Sequence, residues 1–411
     1  MPGWHEATTD LRSARALDTL GIVVEQHPDR ARLFMQWKGF DWPILRDPFN
    51  LLELPAVPIT VILDPDGAIR FVQPRLDRID EISRILAEGL DPVREPRALP
   101  SPVPGKKALA PPSTDDATAW SDHAVALALW TDRLDDAVAA SARSVPAGAD
   151  GAAWFRRGVV LRMRHDSTDR RDSDFRDSVE AWTRALEADP DNYIRRRRLQ
   201  QYGPRLAKPY AFYDWVVDAR ADITSRGEDP VTLAAEPEGA EFSEPQSREE
   251  RPSSDAQAPP RPDRRISIDE DRWVDVGVTV VPPRAQPGDA VRTHLDLRPG
   301  EGIHWNNETG PGGLWVAVPD GWSADPDHQE IQVPPEATSD ERRHLEFELR
   351  IPATLAAGRH TVEVEALYAV CDDDTGVCMI RRRLVPVDVN VDDSVAGLGD
   401  RRDGATSTRS S

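Results

Sequence analysis

The spacing of hydrophobic and polar positions changes along the chain. Residues 14–90 alternate short apolar runs with amphipathic stretches, a pattern that predicts an α/β module. Within it, Ile59–Leu63 and Ala68–Val72 flank a Pro-Asp-Gly turn and are predicted to pair as an antiparallel hairpin. A last amphipathic helix is predicted at about residues 78–90.

The middle of the chain has a helical period. Residues 93–115 are rich in proline and are predicted to form a linker. After them, alanine- and arginine-rich segments recur between short polar breaks. They predict five helices: Asp116–Trp130, Leu134–Ser144, Ala152–Met163, Asp174–Ala188 and Asp191–Gln201.

The last third of the chain has a period of two. Apolar residues alternate with polar ones through Val274–Val280, Leu345–Leu349 and Val362–Ala366, which predicts an antiparallel β-sandwich over residues 269–393. Residues 231–268 and 394–411 are poor in apolar side chains and are predicted to be disordered. The predicted fold class is therefore multidomain α+β.

Length and charge limit the classes of partner. A chain of 411 residues suggests two or three domains, and its net charge of -21 disfavours nucleic acid and anionic membranes. The basic run Arg195–Arg198 is spread around a predicted helix, which favours intramolecular ion pairs over phosphate binding. Only four of the 51 basic residues are lysine, which fits either arginine-rich codon usage or a salt-adapted surface.

The length of the apolar runs and the number of cysteines predict the cellular compartment of the protein. No run reaches 18 apolar residues and the first thirty residues carry several charges, so we expect a cytoplasmic protein without membrane insertion. Two cysteines cannot form a secreted-type disulfide framework, and any disulfide is expected to be a local feature. No cofactor is predicted.

Three segments of the first module carry a family resemblance. Val24–Arg32, Asp41–Asp47 and Val57–Thr60 resemble the thioredoxin-like redoxin superfamily, which includes the alkyl hydroperoxide reductase and thiol-specific antioxidant families. The resemblance implies a truncated thioredoxin-like domain over residues 1–92 and a cis Val57-Pro58 peptide. It also implies that Val57, Pro58 and Ile59 receive extended substrate backbone. A trans proline at the start of a strand is the alternative. The module has no cysteine, so it lacks the family's redox centre.

The helical module resembles tetratricopeptide repeats. The resemblance rests on the spacing of large and small side chains in two successive predicted helices: Trp154, Gly158 and Leu161, then Ser178, Trp182, Ala185 and Pro190. It implies a helical repeat domain over residues 116–230, with a lengthened loop at Arg164–Ser173. Such domains often bind peptides on their concave side.

The β module resembles the N-terminal disulfide-exchange domain of DsbD-type reductases. Tyr368–Cys371, the turn Asp372–Val377 and Cys378 carry the resemblance, and His304–Glu308 falls where that domain has polar loop residues. The resemblance implies an immunoglobulin-like sandwich with a redox pair, Cys371 and Cys378. The spacing departs from the family because six residues separate the cysteines instead of five.

These patterns predict thiol–disulfide exchange with a protein thiol or disulfide partner. We assign Cys371 to the exchange step and Cys378 to resolution of the mixed disulfide. Asp372–Asp374 are expected to raise the pKa of the Cys371 thiol, and Arg381–Arg383 are expected to offset this effect.

Two alternatives to exchange remain open. In the first, the disulfide only stabilises a non-enzymatic scaffold that binds peptide through its repeats. In the second, Cys371, Cys378 and either His294 or His304 bind a metal ion.

Overall fold

The computed structural model describes residues 2–64, 67–72, 109–247, 261–310, 312–395 and 397–399. The predicted helix at 78–90, most of the predicted linker and most of the predicted tail lie outside these residues. The chain divides into two compact units that are discontinuous in sequence. The first comprises Met1–Met163, Asp191–Ile194 and Trp215–Glu236, and the second comprises Arg164–Pro190, Arg195–Asp214 and Pro237–Ser411. This division differs from the predicted succession of three domains.

The first unit begins with short strands and two helices. The predicted hairpin is confirmed, since Val61 pairs with Val72 and Ile62 with Phe71. Among the described residues, β1 and β2 form one parallel pair, and β3 and β4 form a separate antiparallel pair. The Val57-Pro58 peptide is cis, as predicted. The elements are: α1 Pro2–Ser13, β1 Gly21–Val23, α2 Pro28–Lys38, β2 Ile44–Arg46, β3 Val61–Leu63 and β4 Ile69–Val72.

Six further α-helices follow among the residues that the structure describes, and five of them confirm the helical pattern. The side chain of Asp116 accepts the backbone N–H groups of Thr118 and Ala119, which fixes the start of the first of these helices. No described helix is long and apolar enough to cross a membrane. The helices are: α3 Ala117–Trp130, α4 Leu134–Arg143, α5 Gly151–His165, α6 Asp174–Ala188, α7 Tyr193–Tyr202 and α8 Trp215–Ser225.

A buried ion pair closes the predicted long loop in the second unit. Arg164 donates from Nε and Nη2 to the two carboxylate oxygens of Asp174, at 3.0 and 2.5 Å. Asp174 also accepts the backbone N–H of Arg171 at 2.9 Å, so its charge is fully paired. The basic run nearby makes intramolecular contacts: Arg196 donates to the Pro190 carbonyl, and Arg197 donates to Gln200.

Eleven described strands form the C-terminal part of the second unit. One sheet has the order β10-β13-β7-β5, and the other has the order β11-β9-β14-β15-β6, with β8 paired to β14 and β12 paired to β8. Neighbouring strands are antiparallel except β6, which runs parallel to β15. The strands are: β5 Val274–Val281, β6 Arg284–Ala285, β7 Ala290–Pro299, β8 Ile303–Asn306, β9 Gly313–Ala317, β10 Ser323–Asp325, β11 His328–Glu330, β12 Thr338–Ser339, β13 Arg343–Arg350, β14 Gly358–Asp372 and β15 Cys378–Val391.

The two sheets enclose one hydrophobic core. Alternate residues of β13 and β14, such as Leu345, Phe347 and Val364, are buried in it, as the period of two predicted. The α+β class with an antiparallel β-sheet domain is therefore confirmed. The expected polar loop at His304–Glu308 is wrong, because its first residues form β8 and Trp305 is buried in the core.

Part of the predicted disordered segments is packed. Gly239–Phe242 form a 3₁₀ helix in which Ala240 and Glu241 are buried, and Glu241 accepts a hydrogen bond from Gln201 at 2.6 Å. At the start of the tail, Leu398 is buried and its carbonyl accepts a hydrogen bond from Gln200. These few apolar and hydrogen-bonding groups order short stretches of a polar sequence.

Candidate functional site

The two cysteines face each other at the end of the longest strand pair. β14 and β15 stay in register from Gly358 and Val391 to Cys371 and Cys378, which form a disulfide with Cα atoms 3.9 Å apart. In the turn between them, the Asp372 carbonyl accepts the N–H of Gly376 at 2.9 Å. Gly376 has φ +66°, a conformation that favours glycine.

The strand geometry explains why this pair can bond. The backbone N–H of Arg382 donates to the Ser267 carbonyl, and the Arg382 carbonyl accepts the N–H of Asp269. Both hydrogen bonds lie on the side of β15 that faces away from β14. Because this direction alternates along a strand, Cys378 also directs its backbone groups away from β14. Cys371 and Cys378 therefore form a non-hydrogen-bonded pair, the type with the closest side chains.

The two cysteines differ in exposure. Val370 is in the core, so Cys371 is on the outer face of the larger sheet, where β8 and β15 flank it and leave it 3% exposed. Cys378 begins β15 at the end of the hairpin and is exposed. An incoming thiolate therefore has access to the Cys378 side of the disulfide.

A histidine lies beside the disulfide. β8 pairs with β14 so that His304 is directly opposite Cys371. Directly opposed residues project from the same face, which places His304, Cys371 and Cys378 in a row across three strands. The Nδ1 atom of His304 is hydrogen bonded to the Asp373 carboxylate. This contact orients the imidazole and leaves Nε2 for another partner.

The charged residues near the disulfide have other partners. The backbone N–H groups of Thr375 and Asp374 bond to the Asp372 carboxylate and lower its pKa, so this charge stabilises the turn. Arg382 pairs with Glu365, and Arg383 donates to the Asp269 carbonyl. Arg382 and Arg383 can therefore lower the pKa of the Cys371 thiol only in competition with these contacts.

The remaining predicted site residues lie elsewhere in the fold. Val57 and Pro58 are exposed and Ile59 is half-buried, and all three belong to the first unit, whereas the cysteines belong to the second. His294 is on β7 of the smaller sheet, so the structure does not bring it to the disulfide.

A second polar cluster lies on the outer face of the smaller sheet. Cross-strand pairing between β7 and β13 places His294 opposite Glu346 and Asp296 opposite His344. Opposite charges at facing positions of a strand pair stabilise its register. Arg292 extends the row by donating to both Glu346 and Glu348.

Hydrogen bonds link the members of this cluster. His344 bonds through Nδ1 to Asp296 at 2.7 Å and through Nε2 to Glu346 at 2.8 Å. Burial lowers the pKa of His344, but these hydrogen bonds outweigh burial and raise the pKa to about 9. Burial also raises the pKa of Glu346, but the charges of His294 and Arg292 hold that pKa well below its usual value.

Segments outside the sheet cover the cluster. The Tyr202 carbonyl accepts the Nε2–H of His294 at 2.8 Å, and the Phe175 ring lies 5.1 Å from the His294 ring. Gly239 has φ +47°, and a Cβ atom at this position would lie 2.3 Å from the Glu346 carboxyl carbon. Only glycine allows the backbone to approach the carboxylate this closely.

A buried lysine belongs to the same polar layer. Lys208 Nζ donates to the carbonyls of Gln200 and Gln201, at 2.7 and 2.8 Å. Burial, with a smaller contribution from the positive charge of Arg292, lowers the pKa of Lys208 to about 7.

Comparisons with known proteins leave the family open. No family model matches the chain, and no curated protein matches it. The solved structures that resemble parts of it include the major pilin subunit BcpA of Bacillus cereus (9% identity, 29% of this chain and 40% of that chain, TM-score 0.19). They also include a type I cohesin of Clostridium thermocellum (14%, 28% and 98%, TM-score 0.17) and the macrocyclization catalyst AvmM (11%, 34% and 100%, TM-score 0.20). Similarities at this level support no shared function.

Proposed function

We propose that the chain exchanges disulfides with a protein partner through Cys371 and Cys378, on an immunoglobulin-like sandwich. The observation that carries the proposal is the asymmetry of the pair: Cys378 is exposed at the tip of a hairpin, and Cys371 is buried beside His304. A disulfide that exchanges needs one accessible sulfur and one leaving thiolate. This arrangement supplies both.

The chemical step follows from the exposure. A partner thiolate attacks the sulfur of Cys378, which forms a mixed disulfide and releases Cys371 as a thiolate. The other thiolate of the same partner then attacks the partner sulfur in the mixed disulfide and releases Cys378 as a thiolate. The partner dithiol is oxidised to a disulfide, and Cys371 and Cys378 are reduced to two thiols. This order reverses the roles assigned from the sequence.

His304 can assist the leaving group. Its ring lies on the same face as Cys371, and Asp373 fixes its orientation through Nδ1. A histidine beside a cysteine stabilises the thiolate or supplies its proton. We therefore assign His304 as a positioning and proton-donating residue for the buried sulfur.

The edge of β15 fits an extended segment of the partner. Among the described residues, no segment pairs with its outer edge at Cys378 and Ile380. Ile380 is 42% exposed and Val377 is 51% exposed, so apolar surface flanks the disulfide. A partner strand added here would receive main-chain hydrogen bonds and bring its own cysteine to Cys378.

Single serine variants test the assigned order. Cys371→Ser leaves the exposed thiol of Cys378, and Cys378→Ser leaves the buried thiol of Cys371. We expect Cys378 to react with oxidised glutathione at least about tenfold faster than Cys371, because access limits thiol reactivity. The rates are measured by mass spectrometry of the mixed disulfide, with the double serine variant as the blank.

Equal rates for the two single variants, or faster reaction at Cys371, would contradict the order. A wild-type disulfide that does not exchange with glutathione or a dithiol peptide would contradict the function itself and favour the scaffold alternative.

A further inference from the structure

Three potential ligand atoms face one another in the polar cluster. His294 Nδ1 lies 3.1 Å from Glu346 Oε1 and 3.5 Å from His344 Nε2, and His344 Nε2 lies 2.8 Å from Glu346 Oε1. Metal–ligand bonds of about 2.0–2.1 Å at tetrahedral angles place ligand atoms about 3.3 Å apart. The three atoms therefore have nearly the spacing of one face of a tetrahedral site.

The outward atoms of these ligands already have partners. His294 Nε2 donates to the Tyr202 carbonyl, and His344 Nδ1 is bonded to the Asp296 carboxylate. Glu346 accepts Arg292 through its other oxygen. Metal-bound histidines are held in this way, with the second ring nitrogen bonded to a carboxylate or a backbone carbonyl.

The hydrogen bond to Tyr202 decides which atom of His294 is the ligand. A carbonyl oxygen only accepts hydrogen bonds, so the contact with Tyr202 requires a proton on Nε2. Nδ1 therefore faces the Glu346 carboxylate, and a bound metal ion would take the place of the proton between these two groups.

We propose that His294, His344 and Glu346 bind a divalent cation such as zinc. Two imidazoles and a carboxylate suit borderline metals such as zinc, and they are a poorer set for calcium or magnesium, which prefer oxygen ligands. Three protein ligands leave a fourth position for water in a tetrahedral zinc site. The site is independent of the disulfide, because it lies on the other sheet of the second unit.

The rigidity of the site favours binding. His294 and Glu346 are a directly opposed pair in the ladder, and His344 is two residues before Glu346 on the same strand face. The side chains of His294, His344 and Glu346 are 2%, 10% and 6% exposed. Ligands held on paired strands in a buried site lose little freedom when the ion binds.

Zinc binding to the full chain tests the proposal. The cysteines are kept as the disulfide, or replaced in the double serine variant, so that thiolates cannot bind the metal. After chelator treatment and dialysis, calorimetric titration with zinc is expected to show one tightly bound ion per chain.

Matched variants distinguish this site from nonspecific binding. Asp296→Asn leaves the three ligands in place but removes the charge that holds His344 and Arg342, so it is expected to weaken zinc binding by about 10–100-fold, and His344→Gln by more. His360→Gln is the control, since His360 is on β14 and bonds to the Ala356 carbonyl. Binding that is absent in the wild type, or equal in His344→Gln and His360→Gln, would overturn the proposal.

If the variants fail to fold, crystals of the wild-type protein test the proposed zinc site instead. Zinc-soaked crystals are expected to give an anomalous peak bonded to all three ligand atoms. Strong zinc peaks only at other positions would refute the site.

Discussion

Replacing Trp305 with alanine is expected to destabilise the second unit by about 3–5 kcal/mol and to slow disulfide exchange. Trp305 is fully buried, donates to the Glu341 carbonyl at 2.8 Å and lies under the Arg343 guanidinium. It is the core anchor of the four-residue strand β8, whose neighbouring residue His304 faces Cys371. A cavity at Trp305 therefore weakens both the core and the position of the imidazole.

Trp305→Phe is the matched control for this prediction. It keeps an aromatic ring in the core and removes the indole N–H, so a loss of about 1–2 kcal/mol is expected. Urea unfolding measures the stability, and glutathione exchange at Cys378 measures the site. A Trp305→Ala protein with unchanged stability, or with native exchange rates despite a destabilised core, would contradict this account of β8.

Lys208 is expected to give the second unit a marked pH dependence. The folded-state pKa of about 7 lies below the value of 10.5 for a free lysine, because burial disfavours the charged form. Between these values the unfolded state binds the proton and the folded state does not, so stability rises with pH. The largest slope is about 1.4 kcal/mol per pH unit.

A difference measurement isolates this lysine from the other titrating groups. The free energy of unfolding is measured for the wild type and for Lys208→Met at pH 6, 7, 8, 9 and 10. We expect the wild type to gain stability relative to the variant above pH 7 and the two curves to run parallel below it. Parallel curves over the whole range would contradict this prediction, because they would show that Lys208 stays charged in the folded state while it donates to the Gln200 and Gln201 carbonyls.

The regular elements could be predicted because their patterns are local. The helical period from Asp116 to Gln201 and the alternation at Leu345–Leu349 both report which face of an element is buried. The hairpin of Cys371 and Cys378 followed from a glycine-containing turn between two apolar strands. For His304, the short apolar–polar pattern of β8 did not distinguish a strand from a loop.

The second polar cluster could not be predicted by the same reasoning. Leu345, Phe347 and Leu349 place His344, Glu346 and Glu348 on the opposite face, and such a face is normally solvated. Here the Tyr202 carbonyl and Gly239 cover it, and both are distant from β13 in sequence. Buried polar networks that depend on distant segments leave no periodic signal in one sequence.

The segments around the β domain show the same limit. Composition predicted disorder for residues 231–268, but one 3₁₀ helix in that range is anchored by the buried Glu241. Mean composition measures how much apolar surface a segment can bury, and it does not reveal a single well-placed hydrogen bond. The exposure of Cys378 relative to Cys371 likewise depends on the neighbouring strand β8, which the sequence alone did not identify.

The reduction potential of the Cys371–Cys378 pair is the most direct test of the proposed function. The purified protein is equilibrated in graded thiol buffers, and its free thiols are counted after trapping at each potential. We expect a value in the range of exchange proteins, from about -270 to about -120 mV. A value below about -300 mV would mark a structural disulfide and contradict the proposal.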